Sequence, residues 1–170
     1  SYVTINKLHK HSKNNYYLSY KNIENTEFIK QIQHPSIKNC LKFLNFNKPI
    51  QIHYSGDLPA KTGLGSSSSF TVGLLNALYK YNKKKISKNN LAKNAIYVER
   101  ELIKERVGFQ DQIICSHGGI KEINFTKHNK FSVKNIILSK DKINQLQSSI
   151  MIVFTNTERY ANIILKEQIK

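Results

Sequence analysis

Apolar and polar positions alternate near the start of the chain. Tyr2 to Lys7 (YVTINK) and Tyr16 to Tyr20 (YYLSY) repeat with a period of two, which predicts two strands joined through a Lys/Asn-rich turn. The period then lengthens. Ile37, Leu41 and Leu44 stand at i, i+4 and i+7 behind His34-Pro35, one apolar helix face with proline in the first turn. Pro49 to Tyr54 (PIQIHY) reads as a strand, Gly63 to Ser69 as a Gly/Ser loop, and Phe70 to Tyr81 as a helix with Phe70, Leu74, Leu75 and Leu78 on one side.

Ser87 is placed to cap a helix running from about Asn89 to Lys104, and Gly108 breaks that pattern. Ile113 to Cys115 belong to a short helix ended by Gly118-Gly119. Ile120 to Phe125 and Phe131 to Leu138 predict a hairpin, Ser149 to Phe154 (SIMIVF) a buried strand, and Ala161 to Lys170 a further helix. Strands and helices mix without strict βαβ alternation. The expected class is α+β, with helices packed on one face of a mainly antiparallel sheet.

Composition narrows the function classes. A chain of 170 residues with 39 % apolar residues and a mean hydropathy of −0.47 suits a globular domain with a real core. No apolar run reaches 18 residues and SYVTINKLHK has no apolar signal core, so the expectation is a cytoplasmic protein without membrane contact. Cys40 and Cys115 fit no metal-ligand spacing, and buried free thiols are expected over a disulfide. The net charge of +16 raises nucleic-acid binding as a reading from another class. Yet 24 of the 27 basic residues are lysines, scattered apart from Lys83-Lys84-Lys85, and arginine is the residue suited to bidentate recognition. Solvated lysines that draw in small anions are therefore expected, and no nucleic-acid partner.

Three segments carry chemistry. Pro59-Ala60-Lys61-Thr62-Gly63-Leu64-Gly65-Ser66-Ser67-Ser68-Ser69 lies between a predicted strand and a predicted helix. Gly63 and Gly65 permit close backbone approach, the serines add hydroxyls, and free N–H groups at the helix start favour an anion. The spacing is neither a Walker A loop nor a dinucleotide fingerprint. Glu99 falls i+4 from Ala95 and i−3 from Leu102, on the apolar face of its helix, where a carboxylate wants a metal or a salt bridge, for instance to Arg106. Glu101 and Glu105 read as solvated charges. Asp111, in Gly108-Phe109-Gln110-Asp111-Gln112, reads by itself as a turn or cap residue.

PAKTGLGSSSSFTVGLLNALY closely resembles the second motif of the GHMP kinases, Pro-x3-Gly-Leu-Gly-Ser-Ser, and is most like its D-glycero-D-manno-heptose 7-phosphate kinase branch. The likeness runs at lower stringency from Tyr2 to near Gln168. It implies the GHMP N-terminal type of α+β domain over 1–145, incomplete at its start, and the beginning of a C-terminal domain over 146–170. It implies ATP and Mg²⁺ as cofactors, with Pro59, Lys61, Thr62, Gly63, Leu64, Gly65, Ser66, Ser67, Ser68 and Ser69 at ATP, and Ser67 with Glu99 at the metal. Asp111, twelve residues after Glu99, becomes the catalytic base. Gln112, Thr157 and Arg159 fall on the substrate side, the last two in FTNTERYA, where Asn156 replaces the family's usual Gly. Lys104 also stands where galactokinases show Gly. An N-terminal Arg-Ile/Val-x-Phe-x-Gly-Gly-Gly-x-Asp motif that helps hold the sugar and a Gly-rich C-terminal motif are expected outside the given stretch. The implied activity is phosphorylation of a sugar phosphate, at the anomeric hydroxyl of a heptose 7-phosphate, for nucleotide-heptose and surface-polysaccharide synthesis. Another sugar kinase, for fucose, galactose or a uronic acid, is the alternative, and self-association into a homodimer stays open.

Overall fold

A computed structural model describes residues 1–8, 13–57, 63–127 and 130–153. Strand β1 (Tyr2–Lys7) lies antiparallel to β4 (Ile50–Ser55), with Ile5 opposite Ile52. β2 (Tyr16–Ser19) runs parallel to β4 on its other side, and β3 (Ile23–Thr26) closes the sheet antiparallel to β2. The order β1-β4-β2-β3 makes the four-stranded sheet mixed, so β1 and β2 are not neighbours despite their closeness in sequence. Alternation along β2 and β4 buries Tyr16, Leu18, Ile50 and Ile52 on one face.

Helices cover that face. α1 (Pro35–Phe43) starts at His34, whose ring nitrogen accepts from the Ile37 N–H at 3.4 Å, and buries Ile37, Cys40 and Leu41. α2 (Ser66–Tyr81) buries Phe70, Leu74, Leu75 and Leu78 and packs on β1, α1, α3 and α4. α3 (Lys88–Tyr97) is capped by Ser87, whose hydroxyl accepts from the Asn90 N–H at 3.2 Å. α4 (Gln110–His117) ends at Gly118, at φ 67°. A hairpin, β5 (Lys121–Thr126) with β6 (Lys130–Asn135), and α5 (Lys140–Ser148) follow.

Several boundaries differ from the pattern. α2 begins at Ser66 and not at Phe70, because four small polar residues occupy its first turn and leave no apolar periodicity there. α3 ends at Tyr97 and continues as a π-helical turn, Val98–Leu102, closed by Ile103 N–H donating to the Val98 carbonyl at 2.9 Å. Asp111 sits in the first turn of α4 and not in an open turn. Ile150 to Val153 are exposed and form no strand, and Phe154 lies outside the described residues. β3 and α5 carry no strong pattern and were not expected. α5 also runs across the 145/146 boundary. The helix expected over 161–170 lies outside the described residues. Both cysteines are free; Cys40 is buried as expected, whereas Cys115 is exposed on α4. Among the described residues no helix is long and apolar enough to cross a membrane.

Candidate active site

The site forms where the N-terminus of α2, the π turn after α3 and the start of α4 converge. Gly63 and Gly65 both take positive φ, 75° and 69°, the left-handed region that costs a residue with a β-carbon about 1–2 kcal/mol. Gly65 occupies the N-cap position of α2, and no side chain caps the helix there. The first-turn N–H groups of this 16-residue helix thus have no side-chain cap, and with the helix dipole they favour an anion. Ser67 is exposed on that turn, and its carbonyl accepts from the Thr71 hydroxyl at 3.2 Å. Ser68 is buried.

Glu99 is fully buried, as its place in the helical period requires. Its Oε2 accepts from the Ser68 hydroxyl at 2.9 Å and from Gln112 Nε2. Its Oε1 is buried without a partner, and so is Gln112 Oε1. Among the described residues the carboxylate makes no ion pair, so the Arg106 salt bridge weighed above does not form. A buried carboxylate oxygen that no N–H or O–H reaches is costly unless a cation meets it. That donor set, one carboxylate with an adjacent hydroxyl, is hard oxygen chemistry of the kind Mg²⁺ accepts when phosphates and water complete its shell.

Three groups nearby register the Glu99 charge. Burial first, and Glu99 second, push the carboxyl of Glu105 up; Glu105 is half-buried and not the solvated charge expected of it. The same two causes in the same order raise the Cys40 thiol. Burial first, then the charge of Asp111 and behind it that of Glu99, raise the Cys115 thiol, while a hydrogen bond with Ser69 pulls the other way. α4 packs on α2, and Asp111 at its start lies beside Gly65.

Asp111 is exposed beside Gly65: a β-carbon on that glycine would stand 3.2 Å from both the carboxyl carbon and Oδ2 of Asp111. A residue with a β-carbon here would make the Asp111 side chain shift by a few tenths of an ångström. Gln112, the next residue, turns inward to Glu99, so α4 carries one group to the site mouth and one to its floor. The structure therefore brings together Gly63, Gly65, the Ser66–Ser69 run, Glu99, Asp111 and Gln112. Leu64 is exposed. Pro59, Lys61, Thr62, Thr157 and Arg159 lie outside the described residues. The family resemblance paired Ser67 with Glu99 at the metal; the hydroxyl that donates to the carboxylate is that of Ser68. The resemblance put Gln112 on the substrate side; the structure buries it against Glu99, a contact that no local pattern in the chain signals.

Residues 29–119 match the GHMP kinases N terminal domain, and the chain belongs to the GHMP kinases. It is 27 % identical over 154 residues to the D-glycero-alpha-D-manno-heptose 7-phosphate kinase of Campylobacter jejuni, covering 84 % of this chain and 44 % of that protein. It is 35 % identical over 98 residues to the mevalonate kinase of Methanocaldococcus jannaschii, covering 56 % of this chain and 30 % of that protein. The fold superimposes on the crystal structure of a D-glycero-D-manno-heptose 1-phosphate kinase from Bacteriodes thetaiotaomicron with a TM-score of 0.77 at 20 % identity, over 86 % of this chain and 51 % of that one. The chain thus spans less than half the length of the curated relatives it matches.

Proposed function

We propose that the chain forms the nucleotide- and metal-holding part of an ATP- and Mg²⁺-dependent sugar kinase whose acceptor is a sugar phosphate. The observation that carries this reading is the unpartnered, fully buried Oε1 of Glu99 beneath an uncapped helix N-terminus. Gly63, Gly65 and the first-turn N–H groups of α2 would receive the phosphates of ATP, with Ser66, Ser67 and Ser69 as hydroxyl donors. Glu99 Oε1 would hold the cation, and Ser68, which donates its proton to Oε2, keeps lone pairs for the same ion. Bound Mg²⁺ supplies neutralisation of phosphate charge.

Asp111, at the mouth beside Gly65, would orient the acceptor hydroxyl and take its proton. The acceptor oxygen then forms its bond to the γ-phosphorus as the bond to the bridging β–γ oxygen breaks, and ADP leaves. The heptose-kinase likeness across 84 % of the chain supports a heptose 7-phosphate acceptor, phosphorylated at its anomeric hydroxyl in a cytoplasmic pathway to nucleotide-heptose. The higher identity to a mevalonate kinase over 98 residues supports a second reading, a non-sugar alcohol acceptor. A panel of heptose phosphates, other sugar phosphates, free sugars and mevalonate, assayed with full-length protein, ATP and Mg²⁺ by ADP release, separates the two. Preference for mevalonate or for a neutral free sugar overturns the first.

A further inference from the structure

Glu99 has two carboxylate oxygens in unlike surroundings. Oε2 accepts two hydrogen bonds, one from the Ser68 hydroxyl at 2.9 Å and one from the Gln112 amide; Oε1 accepts none. Two donors on one oxygen fix the rotation of the carboxylate and leave the second oxygen as its single free acceptor. The donors come from two different helices, Ser68 from the first turn of α2 and Gln112 from the first turn of α4. Gln112 has no solvent exposure and makes its one side-chain donation to Glu99. Its backbone is also held, because the Gln112 carbonyl accepts from the Ser116 hydroxyl at 2.8 Å. Asp111 precedes it in the same helical turn and meets Gly65.

We infer that Gln112 is a positioning residue that clamps Glu99 so that Oε1 alone faces the cation, and that ties the placement of Asp111 to the placement of that carboxylate. The inference rests on the reading that Glu99 holds a metal. Without the amide, the carboxylate can rotate about its terminal bond and exchange Oε1 for Oε2, and α4 loses its tether to the buried end of the site. A residue that only packs would show neither effect.

The test compares wild type, Gln112→Met, Gln112→Asn and Glu99→Gln in full-length protein, each first checked by thermal melting. Met keeps the length and loses the donor; Asn keeps the amide and cannot reach. Binding of Mn²⁺ together with a non-hydrolysable ATP analogue is read by electron paramagnetic resonance, and kcat is measured against Mg²⁺ concentration. Both Gln112 variants are expected to weaken Mn²⁺ binding about ten- to a hundredfold, as loss of a partner behind a metal ligand does, with analogue affinity in the absence of metal unchanged. If one variant does not fold, the other decides. Unchanged Mn²⁺ affinity in a folded Gln112 variant, alongside a clear loss in Glu99→Gln, overturns the positioning role alone. Unchanged Mn²⁺ affinity in Glu99→Gln overturns the metal reading itself.

Discussion

Gly65 and Asp111 meet closely at the mouth of the site: a β-carbon on the glycine would lie 3.2 Å from the Asp111 carboxyl carbon, so the Asp111 side chain would have to shift. The glycine also holds φ at 69°. Two separate demands, backbone conformation and close approach, fall on one position. Gly65→Ala is therefore expected to lose about 1–2 kcal/mol of stability from the left-handed conformation, read from urea unfolding. It is also expected to lower kcat about 10²-fold by displacing Asp111 from its place. Activity within a few-fold of wild type would show that the Gly65–Asp111 approach has no role in positioning.

Asp111→Asn keeps the shape of the side chain and removes the proton acceptor. If Asp111 takes the acceptor proton, kcat falls by about 10²–10⁴-fold while ATP affinity holds, because this residue does not contact the phosphate-binding N–H groups in the reading given above. Steady-state kinetics and nucleotide titration check both halves. A kcat close to wild type returns Asp111 to a plain helix-start residue.

Glu99→Gln neutralises a fully buried carboxylate that has one oxygen without a donor. The Mg²⁺ concentration for half-maximal rate is expected to rise and the rate to fall, while the melting temperature holds or increases. Stability can rise because a buried charge with no counter-ion is removed. A drop in melting temperature with unaltered Mg²⁺ dependence would mark Glu99 as purely structural.

Lys104 takes φ 63° directly after the π turn, the backbone conformation for which glycine is suited. Lys104→Gly relieves the left-handed strain but frees the unfolded chain, and the net gain expected is about 0.5–1 kcal/mol in chemical denaturation. A destabilised Lys104→Gly would mean that the lysine side chain holds the turn.

Stability should fall on acidification in two steps. Burial lowers the His34 ring below its ordinary value of 6.5, outweighing the charge of Glu24 beside it. Burial raises the Glu24 carboxyl, but donations from Gln33 N–H, the Tyr20 hydroxyl and His34 N–H, with the His34 charge, bring it net below 4.5. Both folded values are depressed, so both contributions are present above the unfolded values and are lost as pH falls through the folded ones. Unfolding free energy is expected to decline below pH 6.5 and more steeply below 4.5, and His34→Gln should flatten the first step. Equal slopes in wild type and His34→Gln would contradict this.

The burial of Glu99 was legible in the chain because helical periodicity reports which face an element hides, and Ala95, Val98 and Glu99 share that face. The Gly/Ser loop between a strand and a helix was legible for a similar reason: glycine at positive φ and a strand-to-helix change of period are local properties. Which partner a buried group meets is not local. Ser68 and Gln112 reach Glu99 across 31 and 13 residues of chain, and choosing Ser68 over Ser67 takes one helical step of about 100°, set only by how α2 docks on α3 and α4. The entry of β4 between β1 and β2, the π turn at Val98–Leu102 and the weakly patterned β3 and α5 were settled by tertiary packing too. The sequence alone determined which residues are hidden and which backbone positions need glycine; hydrogen bonds and packing between distant segments decided what those residues face.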